Sequence, residues 1–251
     1  MRVTVLLAAL ALFAGCKHRP TEKEQRAAET HYNLARMAAE SGSIQEAVRE
    51  YQAALQLDEG FPEAHNGYGI LLHLSFGRRE EAIQHYKRAL EIRPDFSDAK
   101  TNLGVVYLDL GKYDEAIKLF DDVLNDMTYI EPYLAHANRG WALFKKGDVR
   151  GGMESIQMAV TTNPKFCLGY KNLGLIHDEQ GRTDLACDHY GRFRDACPDA
   201  AEAYYREGVC LAKLGKTEEA RKDFAACQTK SVPPGTRDFK ADCKQLLEKM
   251  Q

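Results

Sequence analysis

The chain has 251 residues, with 34 Lys and Arg against 37 Asp and Glu, and a formal net charge of −3 with histidine neutral. That balance argues against nucleic-acid binding, which goes with a basic excess. That length is enough for one large domain or a repeat array. The first element, Val3 to Gly15, has Thr4 as its one polar residue and follows Arg2. It is too short for a membrane-spanning helix, which needs about 20 residues, and it fits the apolar region of a secretory signal. It stops at Cys16, and the polar stretch "KHRPTEKEQRAAET" follows. Residues 16–27 read as a tether that turns helical near Glu24.

The run Leu12-Phe13-Ala14-Gly15-Cys16 resembles the lipobox of bacterial lipoprotein signals: an aliphatic residue, two small residues, then cysteine. Phe13 stands where leucine is usual. The resemblance implies a signal peptide over 1–15 and Cys16 as an acylated N-terminus, the acyl chains typically palmitate. One chain holds a membrane weakly and two or more hold it firmly, at about 0.8 kcal/mol per buried CH₂. Lys17 is not the aspartate that retains many such proteins at the inner membrane. The implied location is therefore the outer membrane, with the domain facing the periplasm.

From residue 28 the sequence repeats. Ala35, Gly69, Gly104, Gly140, Gly174 and Gly208 recur at spacings of 34, 35, 36, 34 and 34. Each is followed by a small residue, Ala47, Ala82, Ala116, Gly152, Ala186 and Ala220, and four places later by a large one, Tyr51, Tyr86, Phe120, Ile156, Tyr190 and Phe224. Small residues let two helices approach, and the large one fills the space beside the crossing. Gly42, Gly111, Gly147, Gly181 and Gly215 fall where a first helix must end and reverse. Pro94, Pro164 and Pro198 stop a second helix.

This period resembles the tetratricopeptide repeat (TPR), a 34-residue helical hairpin. The resemblance implies an all-α fold: a right-handed superhelix of six helix-turn-helix repeats over 28–61, 62–96, 97–132, 133–166, 167–200 and 201–234. A capping helix is expected in 235–251, where Phe239, Cys243, Leu246, Leu247 and Met250 share a face. Departures are Glu59 in place of proline, one extra residue near Ser75-Phe76, two extra in "NDMTYIEP", and Arg139 at a usually aliphatic position. In this family the first helices line a concave groove. Carried over by alignment, the groove positions give Ile70, Leu74, Val105, Leu108, Trp141, Phe144, Leu175, Tyr205 and Val209 as a partner-binding surface, with Asp109, Lys145, Asp178 and Lys213 as a solvated rim. Trp141, the single tryptophan, is a residue type enriched at binding hot spots. Packing into a neighbouring repeat is the competing reading for Trp141.

No HExxH, GxSxG or P-loop occurs, and the eight histidines are scattered. No catalytic residue, cofactor or metal site is expected, and the histidines read as surface or packing residues. Six cysteines, Cys167, Cys187, Cys197, Cys210, Cys227 and Cys243, lie in the C-terminal third, without a CxxC. They admit many connectivities, or simple burial as thiols. Repeat position suggests Cys167 with Cys197, Cys187 with Cys210, and Cys227 with Cys243.

A lipoprotein signal followed by six TPRs resembles the pilotins of type IV pili. These outer-membrane lipoproteins help the secretin subunit reach the outer membrane and assemble as a multimer, on which pilus-dependent motility rests. The implied protein is non-enzymatic and monomeric, with a secretin subunit as partner, an acyl anchor in the membrane and no nucleic acid. A TPR lipoprotein of the β-barrel assembly machinery, an adaptor for cell-wall enzymes, and an enzyme or its regulator are the alternatives.

Overall fold

The computed structural model describes residues 19–232 and 237–250. The signal segment 1–15 and Cys16 lie outside the described residues. Thirteen α-helices and no strand occur among the described residues. They form six antiparallel hairpins: α1 (Glu22–Glu40) with α2 (Ile44–Leu57), α3 (Pro62–Phe76) with α4 (Arg79–Ile92), α5 (Ser97–Asp109) with α6 (Tyr113–Leu124), α7 (Pro132–Lys146) with α8 (Val149–Thr162), α9 (Cys167–Glu179) with α10 (Thr183–Ala196), and α11 (Ala201–Lys213) with α12 (Thr217–Cys227). A last helix, α13 (Lys240–Lys249), packs on α11 and α12.

The helix limits follow from local chemistry. At Thr21 the hydroxyl accepts from the Glu24 backbone N–H, and the Glu24 carboxylate accepts from the Thr21 N–H at 2.7 Å. This capping box satisfies two otherwise orphaned donors. It starts α1 at Glu22, six residues before the expected first repeat, and so shortens the tether. Each first helix ends at a glycine with positive φ, from 64° at Gly77 to 106° at Gly147. Repeat two keeps that turn because its extra residue is absorbed by α3, which runs to Phe76 and reverses at Gly77 rather than one place earlier. The residues before Pro94 and Pro164 are extended, and the one before Pro198 has likewise left the helical region, as the proline ring demands of its predecessor. The two extra residues of repeat three form a turn held by Asp126, whose carboxylate accepts from the Ser97 hydroxyl at 2.6 Å and from the Thr128 N–H and hydroxyl.

In four of the hairpins the core is a ring laid on a glycine. A Cβ placed on Gly69, Gly104, Gly174 or Gly208 would come within 2.5–2.8 Å of Tyr86, Phe120, Tyr190 or Phe224 respectively. Repeat four has glycine on both helices, and a Cβ on Gly140 would meet the Gly152 carbonyl oxygen at 2.6 Å. Here backbone faces backbone, with Ile156 filling the side. Arg139 replaces an aliphatic side chain at the α6–α7 junction, and its guanidinium donates to the Asp121 carboxylate at 2.5 Å.

Three disulfides, Cys167–Cys197, Cys187–Cys210 and Cys227–Cys243, have Cα separations of 5.8, 5.5 and 6.3 Å. They fasten the ends of repeat five to each other, repeat five to repeat six, and repeat six to the cap. The repeats from Glu22 to Thr162 contain no cysteine.

Candidate functional site

Stacking places the first helices side by side. Contacts run from α1 to α3, α3 to α5, α5 to α7 and α7 to α9. Their shared surface is a concave groove about 430 Å³ in volume at its centre, lined by Val105, Leu108, Trp141 and Leu175 among others. These four were expected in the groove and come together there. Trp141 is half-buried: its inner side packs against the cluster of Ile156, Val160, Leu173 and Ile176, and its other side faces the groove. Phe144 lies 5.3 Å from the Trp141 ring and buttresses it from the α8 side, where its backbone abuts Gly152. The Lys145 ammonium stands 4.7 Å from the Trp141 ring centre, a cation–π contact that fixes the indole.

The remaining expected residues are placed differently. Ile70 packs on the edge of the N-terminal core, while Leu74 is 73% exposed beyond the cavity. Tyr205 and Val209 do not line open groove. Phe239 stacks on the Tyr205 ring at 4.6 Å, and Val209 packs into the same cluster with Cys227 and Cys243. The cap covers this stretch by packing its apolar side on α11 and α12.

The rim residues are paired between repeats. His73 shares a hydrogen bond of 2.9 Å with Asp109, Lys213 donates to Asp178 at 2.6 Å, and Lys145 stands 3.7 Å from Glu179. The groove therefore offers an apolar floor between hydrogen-bonded and ion-paired side chains. Two polar groups on that floor escape sequence reasoning, Asn138 and Asn172. Neither carboxamide has a hydrogen-bond partner among the described residues, so both are available to a peptide backbone. Their recurrence two places before Gly140 and Gly174 was the available signal.

Three further polar sites were also missed. His65 and His85 meet at 3.0 Å through their Nδ1 atoms, and the rings of His177 and His189 stack at 5.2 Å. Burial lowers the pKa of all four, that of His85 and His189 to about 4, with the neighbouring histidine as second cause for both. At the α10–α11–α12 junction, Glu207 and Asp223 are both buried beside Arg194, whose Nη1 lies 2.9 Å from the Glu207 carboxylate. Burial pushes Glu207 up to about 7 and Asp223 to about 6. Glu207 occupies the place before Gly208 that Leu103 and Leu173 fill in their repeats, which is the sequence mark of the site. No group of three or more His, Cys, Asp or Glu side chains able to hold a metal occurs among the described residues. No described helix is long and apolar enough to cross a membrane.

Hairpins of this period, built on glycine–ring contacts and stacked around a concave groove, define a repeat scaffold. Three family models described as tetratricopeptide repeat match residues 26–95, 73–128 and 171–231, together more than half of the chain. The chain belongs to the tetratricopeptide-repeat proteins. Among solved structures it is similar in fold to PilW, a type IV pilus biogenesis factor, with a TM-score of 0.73 at 20% identity, covering 80% of this chain and 92% of that one. PilF of Pseudomonas aeruginosa gives 0.70 at 14% identity, covering 89% and 100%. A tetratricopeptide repeat protein from Parabacteroides merdae gives 0.69 at 19%, covering 89% and 84%. A curated relative, the UDP-N-acetylglucosamine–peptide N-acetylglucosaminyltransferase of Giardia intestinalis, is 26% identical over 133 residues, and the chain spans 9% of its length.

Proposed function

We propose that this chain is a non-enzymatic scaffold that binds the secretin subunit of a type IV pilus and promotes its assembly as an outer-membrane multimer. The observation that carries the reading is the groove floor of Val105, Leu108, Trp141 and Leu175, an apolar surface with free amides. Secretin subunits expose apolar, strand-forming surface before assembly, and such surface aggregates. A groove that covers part of it suppresses wrong pairings. The fold-level likeness to PilW and PilF over most of their lengths supports the pilus context.

In this proposal Cys16 is acylated and anchors the protein to the outer membrane, with the repeats in the periplasm. The anchor brings a bound subunit to that membrane and raises its local concentration there. Six paired cysteines suit an oxidising compartment. Two experiments test the reading. Labelled palmitate should enter the wild-type protein and be absent from Cys16→Ser. Membranes of a strain lacking the gene should show secretin monomer without the heat-resistant multimer on a denaturing gel. An unchanged multimer refutes the pilotin role and redirects the search to barrel-assembly or cell-wall partners.

A further inference from the structure

Contact between successive first helices thins between α9 and α11, and a second cavity of about 210 Å³ opens there. Its walls are apolar: Leu168, Phe193, Ala200, Ala201, Val232 and the Cys167–Cys197 disulfide. Leu168 and Lys171 line both this cavity and the central groove, so the two adjoin. We infer that this cavity seats one bulky, uncharged side chain, aromatic or large aliphatic, of an extended segment lying in the groove. The inference rests on the reading of the groove as a peptide-binding surface, and adds what that segment must carry.

Size and charge both select the occupant. An apolar cavity of about 150 Å³ holds a benzene molecule, and this one is large enough for a phenylalanine, leucine or methionine side chain. The charged residues at its mouth are already satisfied. Lys171 donates to Glu202 at 3.3 Å, Arg206 also pairs with Glu202, and Arg237 pairs with Asp242 at 2.6 Å. A charged side chain entering here would lose its hydration and find no free counter-ion. A neutral apolar one displaces water from the walls and leaves the ion pairs intact. Next to the cavity the segment's backbone passes Asn172, and beyond it Asn138 and Trp141. The disulfide holds the first residue of α9 against the residue after α10, and so fixes one wall.

The test uses purified mature chain without the acyl group and N-acetyl-L-phenylalaninamide as probe, followed by backbone-amide NMR shifts. Saturable shifts in the millimolar range at Leu168, Phe193, Ala201 and Val232 are expected, with none from N-acetyl-L-aspartic acid amide. Leu168→Asp should weaken the probe tenfold or more. Leu168 is 40% exposed, and an acid in the first turn of a helix is tolerated there, so this variant keeps its fold. Ala200→Phe, which fills the cavity, should abolish the shifts. Shifts that miss these residues, or equal shifts from the aspartate probe, overturn the assignment. This readout needs no secretin, so its failure is separate from failure of the pilotin reading, which the multimer gel decides.

Discussion

The two ends of the array hold themselves together by different means. Repeats one to three have no disulfide, and the first two are closed by aromatic packing: Tyr32 lies against Tyr51 and Phe61, and Tyr51 stacks on Tyr68. Repeats five and six and the cap carry all three disulfides, and they also carry the buried Glu207–Asp223 pair. In a solenoid each repeat is stabilised by its neighbours, and the terminal units are the weakest. The N-terminal end answers this with the capping box of Thr21 and Glu24. The C-terminal end accepts two poorly solvated carboxylates and offsets them with covalent links. The contrast teaches that this hairpin plan buries polar groups such as His65 without a covalent link, and carries a buried carboxylate pair where disulfides hold the repeats.

Reduction should divide the halves most clearly. The disulfides close segments separated by 30, 23 and 16 residues, and loops of this size are worth about 3 kcal/mol each. Hydrogen exchange after dithiothreitol treatment should rise steeply over residues 167–250 and stay unchanged over 22–146. A uniform rise would break the comparison.

Glycine replacements come next. Gly140→Ala forces a methyl into the Gly152 carbonyl and should cost about 3 kcal/mol in denaturant unfolding, at the upper end of overpacking. Gly104→Ala and Gly174→Ala press on a ring that can shift, and should cost less, about 1–2 kcal/mol.

The titrating groups give opposite slopes. The folded pKa of Glu207 is raised from 4.5 to about 7, so the folded state holds the extra proton. Its burden is absent below about pH 4.5 and grows as pH rises through 7. For His85 the folded value falls from 6.5 to about 4. Its neutral packing is fully stable above 6.5 and loses stability as pH falls toward 4. Glu207→Gln should therefore raise stability at pH 8 relative to wild type by more than at pH 5, by about 1 kcal/mol or more. His85→Phe should flatten the acid loss of repeat two. Local exchange rates at pH 5 and pH 8 check both. The smallest effect belongs to Thr21→Ala, about 1 kcal/mol of fraying confined to the first turns of α1.

Much of the fold was legible because the repeat imposes the same steric demand six times. Where glycine recurs every 34 to 36 residues and a large side chain follows 16 or 17 places later, each pair marks one helix crossing. Gly77 escaped notice because an inserted residue moved it one place out of column. The centre of the groove was legible for the same reason, since Val105, Leu108, Trp141 and Leu175 hold equivalent places. Its C-terminal end was not. Whether Tyr205 and Val209 are open depends on where α13 folds back, and no repeat rule governs a cap. The polar junctions were hidden by distance along the chain: His65 and His85 are neighbours only after the hairpin closes, and Glu207 meets Arg194 only across a repeat boundary.

The most direct measurement is complementation of the deletion strain with Trp141→Ala and, separately, Leu108→Lys, scoring the heat-resistant secretin multimer beside the abundance of the variant. Both residues face the groove and also pack on a hairpin core, so the multimer is compared at matched abundance of variant and wild type. The account predicts loss of the multimer with the monomer retained in both strains. Multimer at the wild-type level, with the variants stably produced, would contradict it.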